Sequence, residues 1–304
     1  MRFSGTRDGF AIAGLRNRNL ELCVVPELGG RIVSLTNRQD QTQWCWQSAV
    51  PRPWRSLARG TPFDQGALAG YDECIPTVAA CRYGPTLYAD HGDAWTSAWQ
   101  VTGAGVEQPH LTMKVNLESV SSTLERTIHL LPDGLKFEYR LLNVSPRPQR
   151  ILWAFHPLIP LEPGTQLQFP QRGWQWRTES IEAPGGDTAH APEAGPGLID
   201  WLLERPAGAP ACAKLFARTP PGLNRITIDR NGSKLHVSVE QQHIPWVGVW
   251  VSAGGWHGHH HLAIEPSNAG YDAVSAASDL PLLAPTATRS WAFEMHLEPS
   301  QEVL

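Results

Sequence analysis

The chain has 304 residues, 41% hydrophobic and 18% charged, which suits one large all-β domain or two average domains with a well-buried core. The formal net charge of -4 and the scattered Lys and Arg exclude the basic patch that nucleic acids and anionic membranes require. Five cysteines without a C-x-x-C pair argue against a disulfide framework and a structural zinc site.

The hydropathy of the sequence predicts neither a signal peptide nor a membrane-spanning segment. The segment MRFSGTRDGF lacks the apolar core of a signal peptide, and the longest apolar stretch, around 151–161, is too short and too interrupted by proline to span a bilayer. We therefore expect a cytoplasmic protein. Its exposed sheet edges would allow pairing in a homodimer.

Residues 70–99, GYDECIPTVAACRYGPTLYADHGDAWTSAW, mix acids, histidine and tryptophan with turn residues. Polar and aromatic side chains together on loops are typical of a ligand-binding surface. The candidates in this stretch are Asp72, Glu73, Arg82, Asp90, His91, Asp93, Trp95 and Trp99.

Alternating strands follow. LTMKVNLES and TLERTIHL have a period of two, and LPDG then turns the chain into LKFEYRLLNVS. The pattern predicts a hairpin with one buried face. A second hairpin is predicted over 225–240, where Asn231-Gly232 supplies the tight turn.

His156 interrupts the apolar stretch RILWAFHPLIPL. A lone histidine there is more often a hydrogen-bonded core residue than a catalyst. Pro157 cannot donate to a central ladder, however, so the strand should end or bulge at His156 and let the imidazole face a cavity.

Residues 162–210 are rich in Gly and Pro, and we interpret them as a loop-rich excursion with a short helix near 197–205. Elsewhere strands dominate without α/β alternation. The sequence therefore predicts a single all-β domain over 1–304, a large antiparallel sandwich with few short helices.

The stretch WVGVWVS places Val247, Val249 and Val251 on one face of a strand, with Trp246 and Trp250 on the other beside a glycine. The two indoles could hold the apolar face of a sugar ring, or they could pack under a second sheet.

The stretch HGHHHLAIEP brings His259, His261 and Glu265 to one strand face. Three interpretations remain open. Glu265 is a catalytic carboxylate at a cleft; or the histidines at 257, 259, 260 and 261 bind a metal ion; or they are polar loop residues and Glu265 pairs with an arginine.

Together these stretches resemble the galactose mutarotase-like superfamily, which includes the aldose 1-epimerases. The similarity begins with VVPELGGRIVSL, at 24–35, and continues through GYDECIPT, DHGDAW, LERTIHLLPDGLKFEYRLLN, FHPLI and AIEP to LLAPTATRSWAFEMHL. The resemblance implies a β-supersandwich with a sugar site on a concave face.

The resemblance also implies roles for single residues. His156 takes the position of the general acid and Glu265 that of the general base. His91 takes the position of a further histidine that hydrogen-bonds the sugar, while Arg31 and Asp72 correspond to residues near the site. Two departures mark a divergent branch: His156 precedes Pro157, and the usual H-G-G is H-G-D.

The implied activity is mutarotation, which interconverts sugar anomers by acid/base ring opening. An ionised Glu265 and a protonated His156 would suit it, without metal or other cofactor. A sugar-binding protein without catalysis is the alternative. A polysaccharide lyase or hydrolase would pair Glu265 with Asp72, Glu73, Asp90 or Asp93. A phosphosugar would need Arg31, Arg55 or Arg82 as its clamp.

Overall fold

The computed structural model describes residues 1–50, 53–66, 69–105, 109–183, 188, 190–206 and 208–300. Antiparallel strands dominate these residues. In chain order the strands are β1 (Arg2–Arg7), β2 (Phe10–Arg16), β3 (Leu20–Val25), β4 (Arg31–Asn37), β5 (Tyr71–Cys74), β6 (Cys81–Tyr83), β7 (Thr86–Tyr88), β8 (Gln100–Gly105), β9 (His110–Leu117), β10 (Ser122–Leu130), β11 (Gly134–Asn143), β12 (Ala154–Pro157), β13 (Ile159–Pro160), β14 (Gln166–Gln168), β15 (Gln175–Glu182), β16 (Ala211–Arg218), β17 (Leu223–Arg230), β18 (Ser233–Glu240), β19 (Trp246–Ala253), β20 (His260–Ser267) and β21 (Thr288–Glu298).

Helices are short. The α-helix α1 spans Pro196–Leu203, and three single 3₁₀ turns lie at Phe63–Gln65, Ala94–Thr96 and Glu118–Val120. Proline at the first helical position of α1 fits a place where no backbone N–H is needed. Among the residues placed by the structure, no helix has both the length and the apolar character to cross a bilayer.

Two large sheets form the sandwich. The first has 11 strands in the order β1-β2-β3-β4-β5-β12-β20-β19-β16-β15, with β13 beside β20. The second has eight strands in the order β14-β17-β18-β21-β11-β10-β9-β8, and β6 pairs separately with β7. The predicted all-β sandwich is confirmed. The last strand, β21, lies inside the second sheet between β18 and β11.

Both predicted hairpins are present. β10 pairs with β11, and β17 pairs with β18 through Asn231 and Gly232, whose φ angles are 54° and 92°. Phe137 in β11 stacks on Phe293 in β21 with ring centroids 4.7 Å apart. Phe293 also lies 5.1 Å from the ring of Phe155 in the first sheet, so the inward-facing side chains of both sheets form the core between them.

Alternation along β19 and β20 divides two apolar regions. Val247, Val249 and Val251 are fully buried in the main core. Burial of each side chain stabilises the folded state by about 1.5–3 kcal/mol. Trp250 and Ala263 point the other way and belong to a separate cluster with Trp46, Phe63, Trp95, Leu158 and Trp256. The candidate site lies on this second face.

The segment 162–210 differs in part from its prediction as an excursion. It contains α1, but β14 and β15 also form edge strands of the two sheets. β14 has only three residues, and β15 is a half-exposed edge strand with a register shift between Thr178 and Ser180. Neither gives a clear period of two in the sequence.

Candidate active site

Three adjacent strands bring the predicted acid and base together. β12 pairs with β5 so that His156 lies opposite Asp72, and β12 meets β20 where Ala154 faces Ser267. Pro157 has no N–H for the ladder, so β12 ends there and the chain resumes pairing at Ile159. This interruption sets the buried imidazole of His156 beside Glu265.

A cavity of about 280 Å³ lies on this face. The volume is close to the lower end of the ~300–1,000 Å³ typical of small-molecule sites, which suits a ligand of about one ring. Aromatic, acidic and imidazole side chains form its wall. The lining residues are Phe63, Asp64, Val78, Asp90, His91, His156, Leu158, Ser180, Lys214, Trp250, Trp256, His261, Glu265 and Asp272.

His156 and Glu265 lie next to each other on the wall of this cavity. Nε2 of His156 lies 3.8 Å from Oε1 of Glu265, and the two residues are only 6% and 1% exposed. The separation is too long for a hydrogen bond. Among the atoms that the structure describes, neither Oε1 of Glu265 nor Nδ1 of His156 has a hydrogen-bond partner. Oε1 is therefore available to accept a proton from a ligand.

Lys214 is the cationic neighbour of Glu265, and the sequence analysis did not predict it. Its Nζ donates a hydrogen bond to Oε2 of Glu265 and lies 3.5 Å from Oδ1 of Asp272. The space for this pair comes from Gly248, where an added Cβ would stand 3.1 Å from Oε2 of Glu265. A lysine inside the buried strand ACAKLFAR was the signal that could have revealed a paired charge.

Burial shifts the pKa values of Glu265 and His156 in opposite directions. Desolvation raises the pKa of Glu265, although the nearby ammonium of Lys214 opposes the shift. Desolvation also lowers the pKa of His156 well below 6.5, and the neighbouring His91 and Lys214 lower it further. The sequence analysis predicts a protonated His156, but the imidazole is neutral at pH 7 because the imidazolium would be buried among other positive groups.

His91 lies on the cavity wall, as the resemblance implied. It has a left-handed backbone with φ of 58°, just before Gly92, and its Nδ1 lies 2.8 Å from Oδ1 of Asp90. Its ring stacks on Phe63 at 3.9 Å and stands edge-on to His156 at 5.1 Å. The carboxylate and the stacked ring fix the imidazole, which leaves Nε2 for a ligand.

The two tryptophans of β19 have different surroundings. Trp250 lines the cavity, and its Nε1 donates to Nδ1 of His261 at 3.2 Å, which places the His261 proton on Nε2. Burial lowers the pKa of His261 to about 3, so this imidazole is neutral. Trp246 does not line the cavity, since its ring packs over Gly270. The predicted platform between the indoles is occupied by Lys214 and Glu265.

Arg31 and Asp72 do not line the cavity either. Nε of Arg31 donates to Oδ1 of Asp72 at 2.8 Å, and both residues are buried. Burial raises the pKa of Asp72, while Arg31 opposes that shift. The pair lies under the wall next to His156, so its direct contact with a sugar stays a prediction.

Three of the four acids suggested as a second carboxylate for hydrolysis lie away from the cavity. Asp93 accepts hydrogen bonds from Ser119, and Glu73 points to the other face of β5. Of the four acids considered, only Asp90 lines the cavity, where it is bonded to His91.

One group of possible metal ligands lies in the site. The donor atoms of Cys74, His91 and His156 are within 4.8 Å of one another. Burial raises the pKa of the Cys74 thiol well above its usual value, which disfavours the thiolate that a metal ion needs. Across the described residues, the histidines at 257, 259, 260 and 261 belong to no such group.

Solved structures share this architecture. The Slr1438 protein from Synechocystis sp. PCC 6803 matches with a TM-score of 0.72 and 17% identity, covering 98% of this chain and 99% of its own. A galactose mutarotase related enzyme from Lactobacillus acidophilus matches with a TM-score of 0.69, 14% identity and 99% of both chains. The chain has the galactose mutarotase-like fold.

A galactose mutarotase-like protein from Clostridium acetobutylicum agrees, with a TM-score of 0.70, 13% identity and 98% of both chains. No protein-family model and no curated protein matches the sequence. The fold resemblance inferred from the sequence motifs is thus confirmed for a divergent chain, and the galactose mutarotase-like fold alone fixes no activity.

Proposed function

We propose that this protein is an aldose 1-epimerase-like isomerase that interconverts sugar anomers. The observation that carries the proposal is the 3.8 Å approach of Nε2 of His156 to an unbonded carboxylate oxygen of Glu265 inside a ring-sized cavity. One acid and one base on either side of a single C–O unit are what ring opening requires.

The atoms balance in a simple cycle. Oε1 of Glu265 takes the proton of the C1 hydroxyl, the C1–O5 bond breaks as C1 becomes a carbonyl, and His156 gives a proton to O5. After rotation about C1–C2, Glu265 returns its proton to the carbonyl oxygen and His156 recovers its own from the O5 hydroxyl. O1 and O5 share one carbon, so two groups a few ångströms apart reach both.

Aromatic walls suit the remainder of a pyranose. Trp250, Trp256 and Phe63 offer flat apolar surfaces for the C–H face of the ring. The Nε2 proton of His261 and the imidazole of His91 lie on the same wall, where they can bond hydroxyl groups. Sugar hydroxyls would thereby supply the partners that buried polar atoms lack.

The charge of the cavity favours an unphosphorylated sugar. Its lining contains the carboxylates of Asp64, Asp90, Glu265 and Asp272 but only one ammonium, Lys214, and no arginine among the residues placed by the structure. Lys214 is already paired with two of those acids. A phosphate group would meet a surplus of negative charge and no free bidentate partner.

The lowered pKa of His156 favours a second candidate, a sugar-binding protein without catalysis. A neutral imidazole is a poor proton donor at pH 7, but it still hydrogen-bonds a hydroxyl. Tight sugar binding without faster anomer exchange would select this candidate.

NMR exchange spectroscopy on a panel of aldoses and their 6-phosphates tests the proposal. We expect faster exchange with at least one unphosphorylated aldose, and a loss of about 10²–10⁴ in kcat for His156→Gln and for Glu265→Gln. Circular dichroism should show an unchanged fold. Wild-type rates in both variants, or no exchange with any sugar, would contradict the proposal.

A further inference from the structure

We propose that Lys214 is a positioning residue that holds Glu265 as an ionised carboxylate with Oε1 turned to the cavity. This inference rests on the proposed function, in which Glu265 is the base. Its physical content, the control of one buried acid by one buried ammonium, can nevertheless be measured without any sugar.

The strand register places the lysine beside the acid. In β16, Lys214 lies opposite Trp250 of β19, and in the next pair Gly248 of β19 lies opposite Glu265 of β20. Because Gly248 has no side chain, the lysine can reach diagonally across β19. Nζ bonds Oε2, and Oε1 is left unbonded. The ammonium thus anchors Oε2 and leaves Oε1 for proton transfer.

Electrostatics requires such a partner. Glu265 is 1% exposed, and a carboxylate removed from water takes up a proton unless a positive charge is near. An opposite charge within about 4–6 Å lowers a carboxyl pKa by about 1–3 units. Although burial disfavours the charge of Lys214, the carboxylates of Asp272 and Glu265 raise its pKa, so the ammonium persists.

Charged and titratable groups from several elements surround Glu265. Lys214 opposes the effect of burial, while Asp272 reinforces it by adding a second negative charge. The two residues therefore act on Glu265 with opposite signs. They include Lys214 from β16, Asp272 from the segment after β20, His156 from β12, Cys74 from β5 and His91 from the loop after β7.

Carbon-13 NMR of the glutamate carboxyl groups measures this control directly, with the signal of Glu265 assigned by its loss in Glu265→Gln. The wild-type midpoint should lie below pH 7. In Lys214→Met, which keeps an unbranched chain without charge, the midpoint should rise by about 1–3 pH units, and kcat should fall. In Asp272→Asn the midpoint should move the opposite way.

Glu73 is the internal control. It is equally buried but lies on the other face of β5, so its titration should not change in Lys214→Met. General damage to the fold would move both signals. An unchanged Glu265 midpoint in Lys214→Met, or shifts of the same sign in both variants, would overturn the inference.

The wild type alone keeps the inference testable if Lys214→Met does not fold, because a Glu265 midpoint above pH 7 would also overturn it. The predicted shifts in a protein that exchanges no sugar anomers would refute the proposed function and leave the control by Lys214 standing.

Discussion

Two fully buried glutamates, one in the core and one at the cavity, differ in how their oxygens are satisfied. Oε1 of Glu73 accepts hydrogen bonds from Arg126 at 2.9 Å and Tyr139 at 2.7 Å, and its Oε2 accepts one from Trp153 at 2.7 Å. Glu265 has a bond to one oxygen only, and Oε1 has none in the described structure.

Burial raises the pKa of both acids, so burial and pKa direction do not separate a structural carboxylate from a reactive one. The number of satisfied lone pairs does. A saturated acid such as Glu73 fixes the packing of the two sheets, whereas an acid with one free oxygen beside a cavity has capacity left for a ligand.

The largest effect on stability is expected when the structural glutamate is replaced, in Glu73→Gln. The change leaves the guanidinium of Arg126 buried without its carboxylate, so we expect a loss of about 3–5 kcal/mol in the free energy of unfolding, measured in urea. The anomer-exchange rate per folded molecule should stay near wild type. Glu265→Gln is the matched variant, with a smaller loss of stability, since Lys214 retains Asp272, and a large loss of rate. Reversal of this pattern would exchange the two roles.

The pH dependence of kcat/KM tests whether protonated His156 is the proton donor. Burial, with His91 and Lys214, holds the pKa of His156 well below 6.5. Above that pKa the imidazolium fraction falls tenfold per pH unit, while the ammonium of Lys214 favours the ionised form of Glu265. We therefore expect the rate to rise as the pH is lowered from about 8 to about 6, by up to about tenfold per unit. A flat profile would exclude His156 as the proton donor.

The smallest effect should come from Gly248→Ala. The new methyl group would lie 3.1 Å from Oε2 of Glu265 and 3.2 Å from Cε of Lys214, so the pair must shift by a few tenths of an ångström. We expect a loss of up to about tenfold in kcat, because small displacements weaken positioned groups. Gly103→Ala is the control, since a methyl group added there would lie 3.4 Å from its nearest neighbour atom, in a strand outside the site. Equal effects would show that the packing at Gly248 is unimportant.

Long alternating strands made the fold predictable. The two hairpins and the buried valines of β19 each follow from a period of two that covers several residues. Short or half-exposed strands lack that signal, which is why the sequence predicts a loop-rich segment where β14 and β15 lie.

The site was predictable only in part. The resemblance to the galactose mutarotase-like superfamily implied that His156 and Glu265 meet, but the register between strands decides the rest. Lys214 reaches Glu265 across an intervening strand, and its contact depends on a glycine in that strand. Trp246 and Trp250 have the same period in the sequence, yet only Trp250 lines the cavity, because the neighbouring segments cover the two indoles differently.

The central position of β21 has a consequence for synthesis. Until this final strand emerges, β18 and β11 each present an unpaired edge, and the second sheet exists only as two separate halves. Such edges invite pairing with other chains. Removal of β21 should therefore yield an aggregating polypeptide rather than a smaller folded protein, so this strand is a poor place to cut or permute the molecule.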